Sequence, residues 1–211
     1  MLKIQRFVVN PLEENCYVVS DETGEACIID CGCFFEEEWR RIKSYIDGEH
    51  LSVVHVLCTH AHFDHVMGLG MIYRDLAIAP EMAEEDKSLY ESVPAQLALF
   101  GLPEFDIPVF PPMRSSLKHG QWVSFGNHSF DIISTPGHTP GGLCLYMKEE
   151  NVLFSGDTLF CGSMGRTDLP GGSYRQLMES LTDKLFQLPE ETRVLTGHGP
   201  DTTIGREASA W

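Results

Sequence analysis

Residues Thr59 to His65 read THAHFDH, which places three imidazoles and a carboxylate, His60, His62, Asp64 and His65, within six positions. The stretch directly follows the apolar run Val53-Val54-His55-Val56-Leu57, which reads as a β-strand. Side chains two apart in an extended segment point the same way, so His60 and His62 can converge on one ion. Asp64 and His65, past the bend, can aim at a second. Imidazole and carboxylate suit zinc, manganese and iron.

Three further polar residues stand at corners that follow apolar segments: His138 in TPGHTPGG, Asp157 in LFSGDTLF and His198 in VLTGHGPDT. Strand ends of this kind are where α/β proteins build their sites. A single histidine in a strand-like run is ordinarily packed or exposed rather than a ligand. His50, His55, His119 and His128 are read that way. Three separate corners in addition to the four-residue cluster are hard to produce by accident.

At 211 residues the chain is expected to form one domain, 1–211, because a single core serves up to about 250 residues. Its hydrophobic content of 43% supports a sizeable core without disulfide staples. The formal charge of −16 argues against nucleic acid and against anionic membrane surfaces as partners. No run reaches the ~18 apolar residues of a membrane span. The N-terminal segment interrupts its apolar residues with Lys3, Gln5 and Arg6, unlike a secretory signal. Seven scattered cysteines do not resemble a secreted disulfide framework, so free thiols in a reducing cytoplasm are expected. Cys31 and Cys33 are read as an inert pair.

Short strands are expected at Ile4–Val9, Cys16–Val19, Ala26–Asp30, Val53–Cys58 and Ala77–Ile78. An amphipathic helix, Glu36–Ile46, separates two of them, and another, Val66–Leu76, leaves the histidine cluster. The second half repeats the theme. A hairpin turns about Gly126-Asn127 between Trp122–Phe125 and Ser129–Ser134. Strands follow at Leu143–Met147, Val152–Ser155 and Thr192–Thr196, with a helix at Ser173–Leu188. Two such sheets packed together with helices outside give an α+β, four-layer αββα sandwich. Between the halves, Pro80–Met113 reads as an acidic helix (Glu81–Glu91), a break at Pro94, a second helix (Ala95–Leu99) and a proline-rich tail. This irregular span is expected to fold over the site as a lid, with Phe100, Leu102, Phe105 and Phe110 as residues that can face a substrate.

With HxHxDH, His138, Asp157 and His198 in that order, the chain resembles the metallo-β-lactamase superfamily, and within it the small bacterial glyoxalase II-like hydrolases. NPLEENCY, IIDCG, PAQLALFGL, TPGHTPGG, SGDTLF, GSMGRTDLPGG and GHGPDTTIGRE carry the likeness. The resemblance implies two divalent metal ions, zinc first, with iron or manganese as alternatives. It assigns His60, His62 and His138 to one ion and Asp64, His65 and His198 to the other, with Asp157 bridging. Two features depart from glyoxalase II. Thirteen residues follow His198 where that family carries a helical domain, and Arg166-Thr167-Asp168 stands where it places a Lys and a Tyr for glutathione. Arg166 is read either as a contact for a substrate carboxylate or as a loop cation paired with Asp168.

Two such ions can share a hydroxide by lowering the pKa of bound water from about 15.7 to near 7. Asp64 and Asp157 are the candidate catalytic carboxylates. A thiolate, with a thiol pKa of about 8.5, leaves without a dedicated acid, so a small-molecule S-acyl thiol such as S-lactoylglutathione is the expected substrate, with weak dependence on the glutathione part. The rival readings are an iron-dependent persulfide dioxygenase, which shares the GRTD loop, a lactonase or phosphodiester hydrolase, and a non-catalytic metal-binding module. Oligomeric state is not legible in the sequence.

Overall fold

The strand that ends at Leu57 lies inside a six-stranded sheet in a computed structural model that describes residues 1–102 and 109–210. This first sheet orders β1 (Lys3–Val9), β2 (Glu14–Ser20), β3 (Glu25–Ile29), β4 (Ser52–Leu57), β5 (Glu81–Met82) and β6 (Ser115–Ser116). The second sheet comprises β7 (Trp122–Phe125), β8 (His128–Ser134), β9 (Leu143–Met147), β10 (Val152–Gly156), β13 (Arg193–Thr196) and β14 (Thr202–Thr203), in the order β14-β13-β10-β9-β8-β7. A two-stranded ribbon of β11 (Leu159–Phe160) and β12 (Ser163–Met164) completes the strands.

Hairpins join the early strands of each sheet, and a helix carries the chain across where strands become parallel. Helix α1 (Glu36–Gly48) links parallel β3 and β4, and α6 (Tyr174–Asp183) links parallel β10 and β13. Strand β2 is buried along its whole length because both of its faces are covered. Cys16 and Val18 pack on the helix side with Trp39, Ile42 and Ile46 of α1. Tyr17 and Val19 pack on the other side with Phe130, Leu145 and Phe154 of the second sheet. Cys144, Tyr146 and Leu153 then face Leu177 and Leu181 of α6. Three cores between four layers make the expected αββα sandwich, and each fully buried Leu, Ile or Phe stabilises it by ~2 kcal/mol.

Several local expectations are corrected. Ala77–Ile78 is not a strand: Ala77 closes α3 (Leu69–Leu76) in a left-handed conformation at φ 57°, and the strand falls at β5. The acidic helix therefore does not begin at Glu81. Cys58 N–H donates to the Glu81 carbonyl and Leu117 N–H to that of Met82, which commits this backbone to the sheet. A 3₁₀ turn at Glu84–Asp86 and the short α4 (Lys87–Glu91) follow, then α5 (Val93–Leu99). The helix leaving the histidines is split into α2 (Phe63–Val66) and α3. Gly68 sits at the break, where a Cβ would stand 2.5 Å from Cys31 Sγ. Ser173 caps α6, which ends at Asp183 before a 3₁₀ turn at Leu185–Gln187.

Candidate metal centre

Strands β8 and β10 both run antiparallel to β9, and β13 runs parallel to β10, so these three strands end at one edge of the second sheet. His138, Asp157 and His198 follow those ends, and the Thr59–His65 stretch follows the end of β4 in the first sheet. Hydrogen bonds between sheets stitch the edges together. Leu143 N–H donates to Thr59 O at 2.8 Å, and Asn15 N–H to Gly197 O at 2.8 Å.

All seven sequence-derived residues meet there. His60, His62 and His138 form one group of ligand atoms, and Asp64, His65 and His198 a second, each within 4.8 Å. Nδ1 of His62 faces Nε2 of His138 at 2.9 Å, and Nε2 of His65 faces Nε2 of His198 at 3.2 Å. Asp157 lies between the groups, with Oδ2 3.5 Å from His138 Nε2 and Oδ1 3.3 Å from His65 Nε2. Oδ2 of Asp64 stands 3.3 Å from His198 Nε2.

These donors fit a pair of metal ions. His60 Nε2 and Asp157 Oδ1 are buried without a hydrogen-bond partner, although buried polar atoms are normally satisfied. Three of the histidines have the ring nitrogen that faces away from the centre occupied. His138 Nδ1 pairs with Arg166 O at 2.7 Å, His198 Nδ1 with Leu12 O at 2.9 Å and His65 Nδ1 with Asp30 Oδ2 at 3.0 Å. In the neutral ring, donating outward leaves the inward nitrogen with a free lone pair for a metal. Without a metal, burial opposes charge on His65, but the carboxylates Asp157 and Asp30 outweigh it and raise His65 well above the usual imidazole range. Burial, followed by the neighbouring charge of His65, holds His60 well below the usual imidazole range. Burial and then His138 push His62 down to about 4. Burial also opposes charge on Asp157 and Asp64. For Asp157 the positive His65, and for Asp64 the His198 hydrogen bond and His65, outweigh it and keep both carboxyls below their ordinary values. Two neutral imidazoles and two ionised carboxylates are the forms in which these groups bind metal.

Sequence reasoning missed the residues that hold the corners in place. Asp30 accepts from Thr59 N–H and Oγ1, both at 2.7 Å, as well as facing His65. Asp86 accepts from Ala61 N–H at 3.0 Å, Thr139 Oγ1 at 2.8 Å and Gly141 N–H at 2.6 Å, which joins the His60 and His138 loops. It is one carboxylate in an acidic run, and only its burial distinguishes it. Asn10 Nδ2 donates to Asp64 O at 2.9 Å and Gly32 O at 3.0 Å. Gly197 has no freedom to vary, since a Cβ there would stand 2.3 Å from Asp157 Oδ1.

A cleft of about 240 Å³ opens onto these ligands and is walled by Leu12, Phe63, Phe100 and Leu169, with Arg166 at its edge. The Arg166 guanidinium is paired with Asp168 at 2.7 and 2.8 Å, so the loop-pair reading holds even as the residue lines the cleft. Of the described residues expected to face a substrate from the lid, Phe100 lines the cleft. Phe110 packs edge-on against Tyr90, 5.4 Å between ring centroids, and with Leu102 joins the helix-side core. Phe105 lies outside the described residues. Among the remaining histidines, His55 pairs with Glu81 at 2.6 Å and His128 with Glu150 at 2.5 Å, away from the centre. Cys31 and Cys33 are buried thiols 3.7 Å apart.

The family model described as the metallo-beta-lactamase superfamily matches residues 9–198, a span that takes in every one of the seven ligand-type residues. The hydroxyacylglutathione hydrolase GloC of Haemophilus influenzae is 36% identical over 98% of this chain and 95% of its own length. Among solved structures, TTHA1623 in a di-iron-bound form is 39% identical with a TM-score of 0.84, covering 98% of each chain. BLEG-1, a B3 metallo-beta-lactamase, is 35% identical with a TM-score of 0.84, covering 99% of this chain and 97% of the other. Paired sheets with their ligand loops on one shared edge, matched by relatives along nearly the whole chain, establish that this chain belongs to the metallo-beta-lactamase superfamily.

Proposed function

We propose that the protein is a metal-dependent thioester hydrolase of the glyoxalase II type, acting on small S-acyl thiols of the S-lactoylglutathione kind in the cytoplasm. One observation carries this reading. Among the described residues lining the cleft, every titratable side chain is a metal-ligand type except Arg166, which is bound to Asp168. These described residues offer no separate acid to protonate a leaving group. An amide nitrogen needs one, whereas a thiolate with a thiol pKa of about 8.5 departs unaided.

Two divalent ions held by His60, His62 and His138 and by Asp64, His65 and His198, with Asp157 between, would supply an acidified water and a polarised carbonyl. The chain's own contribution is to fix this geometry. Asp157 presents one oxygen to each histidine group, Asp64 and Asp157 are the carboxylates placed to orient the water, and Asp30 holds His65 by its outer nitrogen. Phe63, Phe100 and Leu169 shield one wall of the cleft from water. Zinc is the proposed metal, with iron or manganese as the alternatives; the di-iron relative bears on that choice.

The test is a panel of thioesters assayed on protein reconstituted separately with zinc, manganese and iron. Hydrolysis with at least one metal is expected. No hydrolysis with any metal, together with oxygen uptake on glutathione persulfide, would replace this reading with the dioxygenase.

A further inference from the structure

Beside the metal cleft lies a second hollow of about 160 Å³, which shares His62, Phe100 and Leu169 with it. Leu89, Ala95, Leu99 and Pro170 supply most of its remaining wall. Its two other polar side chains are already engaged by the protein. Ser92 Oγ donates to Leu89 O at 2.8 Å. The Gln96 amide donates to Ala61 O at 3.2 Å and Leu89 O at 2.8 Å, and accepts from Phe63 N–H at 2.9 Å. No Asp, Glu, Lys or Arg among the described residues lines this hollow. The adjoining cleft has one Lys or Arg among them, Arg166, whose guanidinium is held by both oxygens of Asp168.

An anionic arm such as a glutathionyl group would find no unpaired counter-ion here, on a chain whose formal charge is −16. An uncharged apolar arm would leave no charge unpaired on entering and would bury its surface against Leu89, Leu99, Phe100 and Leu169. We infer that this hollow is a specificity pocket that selects thioesters carrying an apolar arm, alkyl or aryl, next to the scissile carbonyl. The inference rests on the thioester reading for the chemistry but on the pocket alone for the selectivity. The apolar arm belongs either to the acyl group or to the thiol.

Two substrate series separate those sources: acetyl to hexanoyl thioesters of one small thiol, and acetyl thioesters of thiols of increasing alkyl length. In the series whose arm enters the pocket, kcat/KM should rise about two- to fourfold per methylene, the scale set by burying a CH₂ group. Ala95→Trp, which fills the hollow, should flatten that rise, and Leu99→Asn, at an exposed wall position, should weaken it. The same series is made as ketones, with CH₂ replacing the thioester sulfur, and binding is measured by calorimetry on zinc-loaded protein. The dissociation constant should fall in step with chain length. If both substrate series and the ketones are flat, or S-lactoylglutathione outperforms every apolar substrate, the pocket inference is overturned. If the ketones follow chain length while no thioester is cleaved, the pocket stands and the thioester reading fails.

Discussion

At the scale of single residues, the centre depends on which atom each side chain turns inward. His62 presents Nδ1 while His138, His65 and His198 present Nε2, because the latter three spend Nδ1 on Arg166 O, Asp30 Oδ2 and Leu12 O. Asp157 divides its two oxygens between the histidine groups, so it is needed at both positions, whereas His198 serves only one. His198→Ala is therefore expected to retain about one metal equivalent of two, and Asp157→Asn to lose most of both. Thioester turnover of Asp157→Asn should fall by roughly 10²-fold or more, since several kcal/mol of charge stabilisation disappear. Metal analysis beside a steady-state assay checks this. A His198→Ala protein with two full equivalents would sink the dinuclear assignment. The candidate ligands were legible in the sequence because HxHxDH compresses four donors into six positions and His138, Asp157 and His198 stand at further strand ends. The ring nitrogen each histidine uses was not, since that depends on carbonyls and a carboxylate brought in from other strands.

At the scale of elements, the ligand loops are held by cross-links between segments far apart in sequence. Asp86, in the turn before α4, accepts from the loop after β4 and from the loop after β8. Asp86→Ala would strand three donors in a buried place, each costing roughly 1–3 kcal/mol. Partial access of water should reduce the measured loss to about 3–5 kcal/mol in urea unfolding, with weakened binding of the ion held by His60, His62 and His138. A change below ~1 kcal/mol would mean that the carboxylate only fills space. The longer strands were readable from apolar runs, the two-residue strands were not, and α1 was readable from its spacing of Trp39, Ile42 and Ile46. The reading of Glu81–Glu91 as one helix holds over Lys87–Glu91 and fails at its start, where local propensity favours a helix in an acidic run. Pairing of β5 with β4 and β6 overrides it, using backbone groups that no local pattern reveals.

At the scale of the whole molecule, the centre joins two sheets. His60, His62, Asp64 and His65 come from the first, and His138, Asp157 and His198 from the second. Bound metal should therefore brace the packing of one sheet on the other. At a free metal concentration a hundredfold above Kd, each ion adds about 2.7 kcal/mol. For a chain of this size, removing one such ion with a chelator should lower Tm by about 5–10 °C. Calorimetry before and after chelation, with re-addition of metal, measures the shift. An unchanged Tm after full removal would show that the sheets hold their contact without the ions.

The sequence by itself determined the alternation of strands and crossover helices, the seven donor residues and the strand ends that carry them, because periodicity and clustered ligands are local properties of the chain. The packing of one sheet against the other was needed to bring those donors together in two groups and to set which of Asp157's oxygens faces which group. It also decided that Asp86, rather than its acidic neighbours, is buried, and that Phe100 lines the cleft while Phe110 does not. Those outcomes depend on atoms brought together from distant parts of the chain, and a pattern read along the chain carries no record of what lies across the interface between sheets.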